Sequence, residues 1–444
     1  MSKWVAAAAL LLVATGCGFG NEARSCTSNA ECNSVEHPGG VCEASTHLCS
    51  FPDTSCPDGF RYGGLAGDQS NQCVPGPGQG SNPIADAAID SPPPIDTAPP
   101  IDSPPDAEVC FGTGIVKVCL ASAPTGDLAS LGGTLDTTNS PQCAQLASGG
   151  DFCVIAATTI TLQTALRAIG TRPLVLLASD SITTTAIIDV ASHRVNGTDE
   201  IGAGGDSLLC SAGTAPATLS GTSGGGAGGS FTGGGGNGGA GATLSGSAPG
   251  GAGGLPGGAN IIVSELRGGC PGQQGAGSST DAGARGHGGG AIFLLAGSSI
   301  TVQQTINASG EGGGGGIANV SGGGGGGSGG LIGFDAPTIA VTGVITANGG
   351  GGGEGDGNTP GSPGNETTTE SAATGGTGAI NGGNGGNGSS GAAAGPGSVG
   401  ATGTLGGGFR GGGGGGGGGA GYVVAPQTAS FPHEVSPAPT IQTP

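Results

Sequence analysis

Acid–base chemistry has one candidate group in this sequence, formed by Asp189, His193 and Arg194. A carboxylate near a histidine and an arginine could transfer a proton or stabilise an anion. Cleavage of a polysaccharide needs a second carboxylate, and none recurs at the positions that correspond to Asp189 in the related segments described below. We therefore interpret the group as a solvated end of a strand segment, and we expect no catalytic residue and no enzymatic activity.

Two segments contain residue types that bind metal ions. The first holds a mixed group, which consists of His37, Cys42, His47 and Cys49. The spacing of this group fits no usual zinc framework, and an exported chain favours oxidation of its cysteines. The second segment, residues 201–209 with the sequence IGAGGDSLL, resembles one calcium-binding nonapeptide with Ile201 in place of the first glycine. A calcium roll needs tandem turns, so the sequence predicts no metal site and no cofactor.

Disulfide formation is the chemistry that most of the 13 cysteines predict. Apart from Cys17 they fall into two groups of equal size. The first group is Cys26, Cys32, Cys42, Cys49, Cys56 and Cys73, and the second is Cys110, Cys119, Cys143, Cys153, Cys210 and Cys270. An even number in each half of an exported chain favours disulfides within each half. Six cysteines allow 15 connectivities, so the pairing stays open.

The N-terminal sequence MSKWVAAAALLLVATGC has the features of an export signal. Lys3 precedes an apolar run that is too short to span a bilayer. The run ends in Ala-Thr-Gly-Cys at 14–17, which resembles a bacterial lipobox with Ala14 where leucine is usual. The resemblance implies lipidation of Cys17 and, because Gly18 follows it, location at the outer membrane or cell surface of a Gram-negative bacterium. Ordinary signal cleavage with Cys17 as a bystander is the alternative.

The charge of the chain excludes one class of partner. Its formal net charge is −20, and its two lysines are Lys3 and Lys117. Binding of DNA or RNA depends on basic side chains that neutralise phosphates, so we expect no nucleic-acid partner. The expected partners are the membrane, through the lipid anchor, and extracellular polysaccharide or other surface proteins.

Four segments share one strand pattern, and they are residues 152–170, 174–192, 292–310 and 331–349. Each has an apolar strand, a kink of small residues, and a second strand in which apolar residues alternate with period 2. In the first segment the apolar face of the second strand begins at Ile160 and includes Thr164 and Ala168. The corresponding faces of the other three segments begin at Ile182, Ile300 and Ile339. A degenerate copy lies at 115–137, and a fragment lies at 422–426.

Repeats that each bury one thin face must stack to form a core. We therefore predict an all-β fold, a short parallel β-helix or solenoid with long glycine-rich insertions; an antiparallel β-sandwich of the same strands is the alternative. The first, second and third insertions are residues 196–290, 311–330 and 348–421. They are interpreted as disordered chain, as polyglycine-II-like extended chains, or, least well, as phosphate cradles.

These observations divide the chain into six parts. They are a signal peptide (1–16), a lipidated tether (17–25), a disulfide-rich module (26–74), a linker rich in proline and aspartate (75–108), a glycine-rich β-solenoid domain (109–426) and a C-terminal tail (427–444). The proline-rich linker predicts an extended polyproline-II spacer.

The lipobox, the six-cysteine module, the linker and segments of the type SITVQQTINASG together resemble predicted glycine-rich surface lipoproteins of myxobacteria and related bacteria. The resemblance covers the whole chain, and the family has no activity that could be transferred. It implies a surface-anchored lipoprotein with a non-catalytic structural, adhesive or binding role at the cell envelope. The alternative is a β-helix enzyme that acts on polysaccharides.

Overall fold

The structure is a computed structural model, and it describes part of the chain. The described residues are 26, 32, 40–43, 46–53, 56, 60–62, 72–74 and 108–442, the last range without 145, 147, 244–247, 261 and 434. The chain divides into two compact units, Met1–Pro100 and Ile101–Pro444. The signal peptide, the tether with Cys17, and linker residues 75–107 lie outside the described residues.

In the first unit the described strands form one antiparallel sheet. The strands, in sheet order, are β1 (Val41–Cys42), β2 (Cys49–Pro52), β3 (Phe60–Tyr62) and β4 (Cys73–Val74). Three disulfides hold this region, and they join Cys26 to Cys42, Cys32 to Cys49 and Cys56 to Cys73. Among the described residues of this unit, the buried apolar cluster consists of Tyr62 and Val74. So small a core needs covalent cross-links for stability, as the sequence predicted.

Short strands and long segments without regular secondary structure alternate along the second unit. Its strands are β5 (Val109–Phe111), β6 (Val118–Leu120), β7 (Gly133–Asp136), β8 (Ser148–Gly149), β9 (Cys153–Leu162), β10 (Leu166–Ile169), β11 (Leu174–Thr184), β12 (Ile188–Asp189), β13 (His193–Val195), β14 (Thr198–Glu200), β15 (Thr218–Leu219), β16 (Thr222–Ser223), β17 (Ala291–Ala296), β18 (Ser299–Val302), β19 (Ile306–Asn307), β20 (Leu331–Asp335), β21 (Thr338–Val341), β22 (Ile345–Thr346), β23 (Leu405–Gly406), β24 (Phe409–Arg410), β25 (Tyr422–Pro426), β26 (Ala429–Ser430), β27 (Val435–Ser436) and β28 (Thr440–Gln442). The chain is therefore an all-β protein, as predicted.

Two parallel sheets contain the repeats. One has the order β26-β21-β18-β11-β17-β20-β25-β28, with β9 also paired to β11, and the other has the order β27-β22-β19-β12-β10-β7. The repeats pair in the predicted register, because Ile160 lies opposite Ile182, Ile182 opposite Ile300, and Ile300 opposite Ile339. Parallel pairing contradicts the alternative of an antiparallel sandwich.

The sequence pattern predicts a single second strand in each repeat. The structure instead has two strands there, separated by a bend. In the first repeat β9 ends at Leu162 and β10 begins at Leu166, and the intervening Thr164 is exposed. The bend carries the chain from one parallel sheet to the other. Leu162, Leu166 and Ala168 remain buried, so the apolar alternation resumes on the inner side after the corner.

The core lies between the two parallel sheets and continues beyond one of them. Inward side chains such as Ile155, Leu166 and Ile188 form the main cluster. On the outer face of the first strands, a second cluster packs Val175 and Phe293 against residues such as Val118 of β6 and Phe231. These strands are buried on both faces, which explains their continuous apolar sequences.

The C-terminal segment contributes to the same sheets. We predicted a tail at 427–444, but β26, β27 and β28 pair in parallel with β21, β22 and β25. The parallel sheets therefore extend beyond residue 426.

The glycine-rich insertions form a hydrogen-bonded lattice with a period of three residues, as residues 322–329 show. In this segment the backbone N–H groups form three series, each with a different neighbouring chain. The first series donates to the carbonyls of 276, 273 and 270, and its donors are Gly322, Gly325 and Ser328; the second donates to those of 413, 416 and 419, and its donors are Gly323, Gly326 and Gly329. The third donates to the carbonyls of 314 and 311, and its donors are Gly324 and Gly327. Three residues per turn, with neighbours on three sides, is the geometry of polyglycine II. Of the three interpretations that the sequence left open, this is the one observed.

The lattice requires glycine because its chains touch backbone to backbone. A Cβ on Gly325 would lie 1.9 Å from the carbonyl oxygen of Ala227. Real Cβ atoms do not approach an oxygen so closely, so a side chain there would separate the two chains. The lattice also covers the outer side of the short strands, where Asn307 and Thr346 are buried and bonded to each other. The alternating pattern of the repeats predicts one buried face, whereas these two outer positions are buried as well.

Candidate functional site

Charged side chains from the first and second repeats, from the β13–β14 ribbon and from all three insertions meet in one place, which we call the charged cluster. It consists of Arg167, Asp189, His193, Arg194, Asp199, Glu200, Asp206, Arg285, His287, Glu311 and Glu366. The antiparallel ribbon β13–β14 places Arg194 opposite Asp199 and His193 opposite Glu200. The lattice brings in the remaining groups, which are distant in sequence.

His193 links the second repeat to the third insertion. Its Nε2 lies 2.9 Å from Oδ2 of Asp189, and its Nδ1 lies 2.6 Å from Oε2 of Glu366. Burial disfavours the imidazolium, but the hydrogen bonds and charges of the two carboxylates outweigh burial and raise the pKa of His193 to about 9. His193 is therefore protonated at neutral pH, which makes it unsuitable as a general base.

Asp189 is held in its ionised form. Burial alone would raise the pKa of Asp189, but the hydrogen bond and charge of His193, together with the charge of Arg167, hold it below its ordinary value. Arg167 Nη1 lies 3.3 Å from Oδ1 of Asp189 and donates to the carbonyl of Ala191 at 2.6 Å. The grouping of Asp189 with His193 is as the sequence suggested, but both side chains are about four-fifths buried and paired instead of solvated.

Arg194 joins three segments of the chain. Its backbone N–H donates to Oε1 of Glu366 at 2.7 Å, and its Nε donates to Oδ1 of Asp199 at 2.9 Å. Its guanidinium also contacts the carboxylate of Glu311 and donates to the carbonyl of Gly312. These contacts fix the β13–β14 ribbon against the second and third insertions.

His287 and Glu311 form the buried side of the cluster. The Nδ1 of His287 lies 2.7 Å from Oδ2 of Asp206, and its Nε2 lies 3.3 Å from Oδ2 of Asp199. The hydrogen bond to Asp206 raises the pKa of His287 against the effect of burial. The side chain of Glu311 is fully buried, and burial raises its pKa to about 8 although the charge of Arg194 opposes this.

Among the residues that the structure describes, one set of possible metal ligands lies close together without being in disulfides. Ligand atoms of Asp199, His287 and Glu311 all lie within 4.8 Å of one another. Two other close groups, Cys26 with Cys32 and Cys42, and Glu108 with Cys110 and Cys119, contain cysteines that are all in disulfides. Disulfide sulfur does not act as a thiolate ligand, so these groups are cross-links.

The described residues that the sequence suggested as zinc or calcium ligands have other roles in the structure. Cys42 and Cys49 are in disulfides and cannot ligate zinc with His47, while His37 lies outside the described residues. In the nonapeptide-like segment, Asp206 receives the N–H of Gly288 and binds the ring of His287. Asp206 therefore orients a histidine.

Sequence reasoning missed Asp199, His287, Glu311 and Glu366. The insertions were regarded as interruptions between strands, so their side chains were not searched for a site. A usable signal was present: charged residues are rare in the insertions, and GARGHGGG and SGEGGGG each place an isolated charge or histidine among glycines.

The second unit also contains three disulfides within its own half of the chain, as predicted. They join Cys110 to Cys119, Cys143 to Cys153 and Cys210 to Cys270. The last one closes a separation of 60 residues inside the first insertion. Beside it, the guanidinium of Arg267 lies 4.3 Å from the ring centroid of Phe231.

Comparison with known proteins gives no assignment: no family model, no curated protein and no solved structure matches the chain. In the part of the chain that the structure describes, no helix has both the length and the apolar character needed to cross a bilayer. The function is therefore inferred from the geometry.

Proposed function

We propose that this protein is a surface-anchored lipoprotein with a non-catalytic structural or binding role at the cell envelope. One observation carries the proposal: the charged side chains that could do chemistry are engaged with one another and hold the ribbon β13–β14, the second repeat and the insertions together. A site of this kind stabilises a rigid body. It presents no free base to a substrate.

The shape of the repeats supports the same role. We interpret the in-register parallel strands as a short β-helix against which the polyglycine-II lattice packs. Such a body presents a regular face, in which Thr161, Thr183 and Thr301 lie side by side at partly exposed positions. Faces of this kind suit adhesion or scaffolding, where binding is distributed over many weak contacts.

The anchor is proposed from the lipobox-like sequence at 14–17. We expect Cys17→Ala to abolish metabolic labelling by a palmitate analogue and to move the protein from the membrane fraction to the soluble fraction, because two or more acyl chains give stable membrane residence. Thr15→Ser is the matched control and should leave both readouts unchanged. A Cys17→Ala protein that still fractionates with membranes would refute lipid anchoring at this residue.

Enzymatic action on polysaccharides remains the second candidate, and one observation favours it. Glu311 has a raised pKa and lies near the carboxylate of Asp199, a pairing that can serve acid catalysis. Full burial of the Glu311 side chain argues against contact with a polymer.

The two candidates are distinguished by turnover. The mature full chain, with its disulfides intact, is incubated with extracellular polysaccharides, and co-sedimentation and release of reducing ends are both measured. We expect co-sedimentation without release. Release of reducing ends that disappears in Asp189→Asn or Glu311→Gln would overturn the non-catalytic role, and absence of both binding and release would leave the structural role without a carbohydrate partner.

A further inference from the structure

Three potential ligand side chains converge from separate segments at the inner end of the charged cluster. Asp199 lies in β14, His287 near the end of the first insertion, and Glu311 at the start of the second. Asp199 Oδ2 and His287 Nε2 are 3.3 Å apart, and one ligand atom of Glu311 lies within 4.8 Å of both. Ligand atoms bound tetrahedrally to zinc at about 2.0–2.2 Å are separated by roughly 3.3–3.6 Å, so a small adjustment of Glu311 would close the set around one ion.

His287 is oriented as a metal-binding histidine is. Asp206 accepts from its Nδ1 at 2.7 Å, and the other oxygen of Asp206 accepts from the backbone N–H of Gly288 at 2.8 Å. A carboxylate held in this way fixes the ring and directs Nε2 to the opposite side, where loss of its proton would make it available to a metal ion. Here that side is the one occupied by Asp199.

Glu311 is a buried carboxylate with incomplete hydrogen bonding. Its side chain is fully buried, and its Oε1 forms an ion pair with Nη2 of Arg194 but accepts no hydrogen bond. Its Oε2 receives a long hydrogen bond of 3.4 Å from the backbone N–H of His287. Arg194 compensates the charges of Glu311 and Asp199 at once, so an added cation would further stabilise both carboxylates in their ionised forms.

The charge of the cluster also has room for a cation. Six carboxylates face three arginines and two histidines. Metal binding requires Glu311 to be ionised and His287 to be neutral. With the other carboxylates ionised and His193 protonated, the side chains then carry a formal charge of −2, which one divalent ion would neutralise.

We propose that Asp199, His287 and Glu311 bind a divalent transition-metal ion of the zinc class, with Asp206 as the positioning residue for His287. One imidazole nitrogen and two carboxylate oxygens suit Zn²⁺ better than Ca²⁺ or Mg²⁺, which prefer oxygen ligands alone. Three protein ligands leave a fourth position for water, and Asp199, about one-third exposed, lies on the solvent side. The ion would join the β13–β14 ribbon to the rest of the first insertion and to the second insertion, and it would therefore cross-link these segments, in contrast to the sequence-based expectation of no metal.

The test uses the mature full chain without an affinity tag, treated with a chelator, and Zn²⁺ alone as the probe. Competition with a zinc-sensitive dye gives the stoichiometry and affinity, and thermal unfolding with and without Zn²⁺ gives the stabilisation. We expect one Zn²⁺ per chain and a rise in Tm. His287→Ala and Asp199→Asn should each weaken binding at least tenfold and abolish the rise in Tm.

His433→Ala is the matched control, because His433 is exposed and lies outside the cluster; it should bind Zn²⁺ as the unaltered chain does. Circular dichroism in chelator confirms that each variant is folded, and Asp199→Asn, at a partly exposed position, keeps the test valid if His287→Ala does not fold. Absence of stoichiometric binding, or equal binding by the unaltered chain and Asp199→Asn, would overturn the proposal.

Discussion

His193 joins two parts of the molecule that are far apart in the sequence, because its ring lies between Asp189 of β12 and Glu366 of the third insertion. Each ring nitrogen has a carboxylate partner, so both must carry a proton for both hydrogen bonds to form. The raised pKa of about 9 follows from this arrangement. At the scale of a single residue, the contact therefore depends on pH.

Stability should fall as pH rises above neutrality. The pKa of His193 is raised from 6.5 in the unfolded chain to about 9 in the folded protein, so its contribution is complete below pH 6.5 and is lost as pH rises through 9. We expect a loss on the order of 2 kcal/mol between pH 7 and pH 10 that is absent in His193→Gln. Urea unfolding of both proteins at the two pH values measures it, and an identical pH dependence in the two proteins would contradict the assignment.

A single methyl group should disrupt the lattice at its centre. Gly325→Ala places a Cβ 1.9 Å from the carbonyl oxygen of Ala227, whereas Gly258→Ala meets no atom within 4 Å. We expect Gly325→Ala to lower the free energy of unfolding by several kcal/mol and Gly258→Ala to change it by about 1 kcal/mol or less. Denaturant unfolding measures both. Equal effects would show that the insertions do not pack as described.

At the scale of the elements, the core positions of the repeats were predictable and the corner was not. Alternation of apolar residues identified the columns of Ile160 and Ala168, because burial of one strand face leaves a period of 2. The same alternation placed Thr164 inside, although it lies on the exposed bend between β9 and β10. The bend consists of three exposed residues, and the buried apolar positions continue with the same spacing on both sides of it. The apolar pattern alone therefore could not show that the strand bends here.

The site was less predictable than the strands. Asp189 and His193 are four residues apart and were recognisable together, whereas Glu311 and Glu366 come from insertions whose packing leaves no side-chain pattern. Hydrogen bonds between glycine backbones determine which segments become neighbours, and glycine sequences do not encode register through side chains. The convergence of the charged cluster therefore depended on the lattice geometry.

The short strands of the second parallel sheet should be essential for stability. Ile306 of β19 is fully buried in the main core, while Ile317 in the second insertion is more than half exposed. We expect Ile306→Ala to lower the free energy of unfolding by about 2–5 kcal/mol and Ile317→Ala to have an effect within about 0.5 kcal/mol. Denaturant unfolding with an unchanged slope gives the values. A small effect of Ile306→Ala would contradict the position of β19 between β12 and β22.

Across the whole molecule, two kinds of structure allow a chain with 107 glycines among 444 residues to fold. The parallel strands supply the apolar core, and the insertions supply backbone hydrogen bonds to neighbours on several sides. The disulfide from Cys210 to Cys270 cross-links the first insertion, and the charged cluster connects the insertions to one another and to the repeats. Such an arrangement fits a body whose role is mechanical or adhesive.

The most direct test of this account is hydrogen–deuterium exchange on the mature full chain. Peptides from 322–329 and 412–419 report on the lattice, and peptides from β17 and β20 report on the parallel sheet. Because the lattice amides donate to neighbouring carbonyls, we expect protection of the glycine peptides within about tenfold of that of the strand peptides. Exchange of the glycine peptides at the rate of an unstructured chain, with the strands still protected, would contradict the central claim that the insertions are an ordered part of the fold.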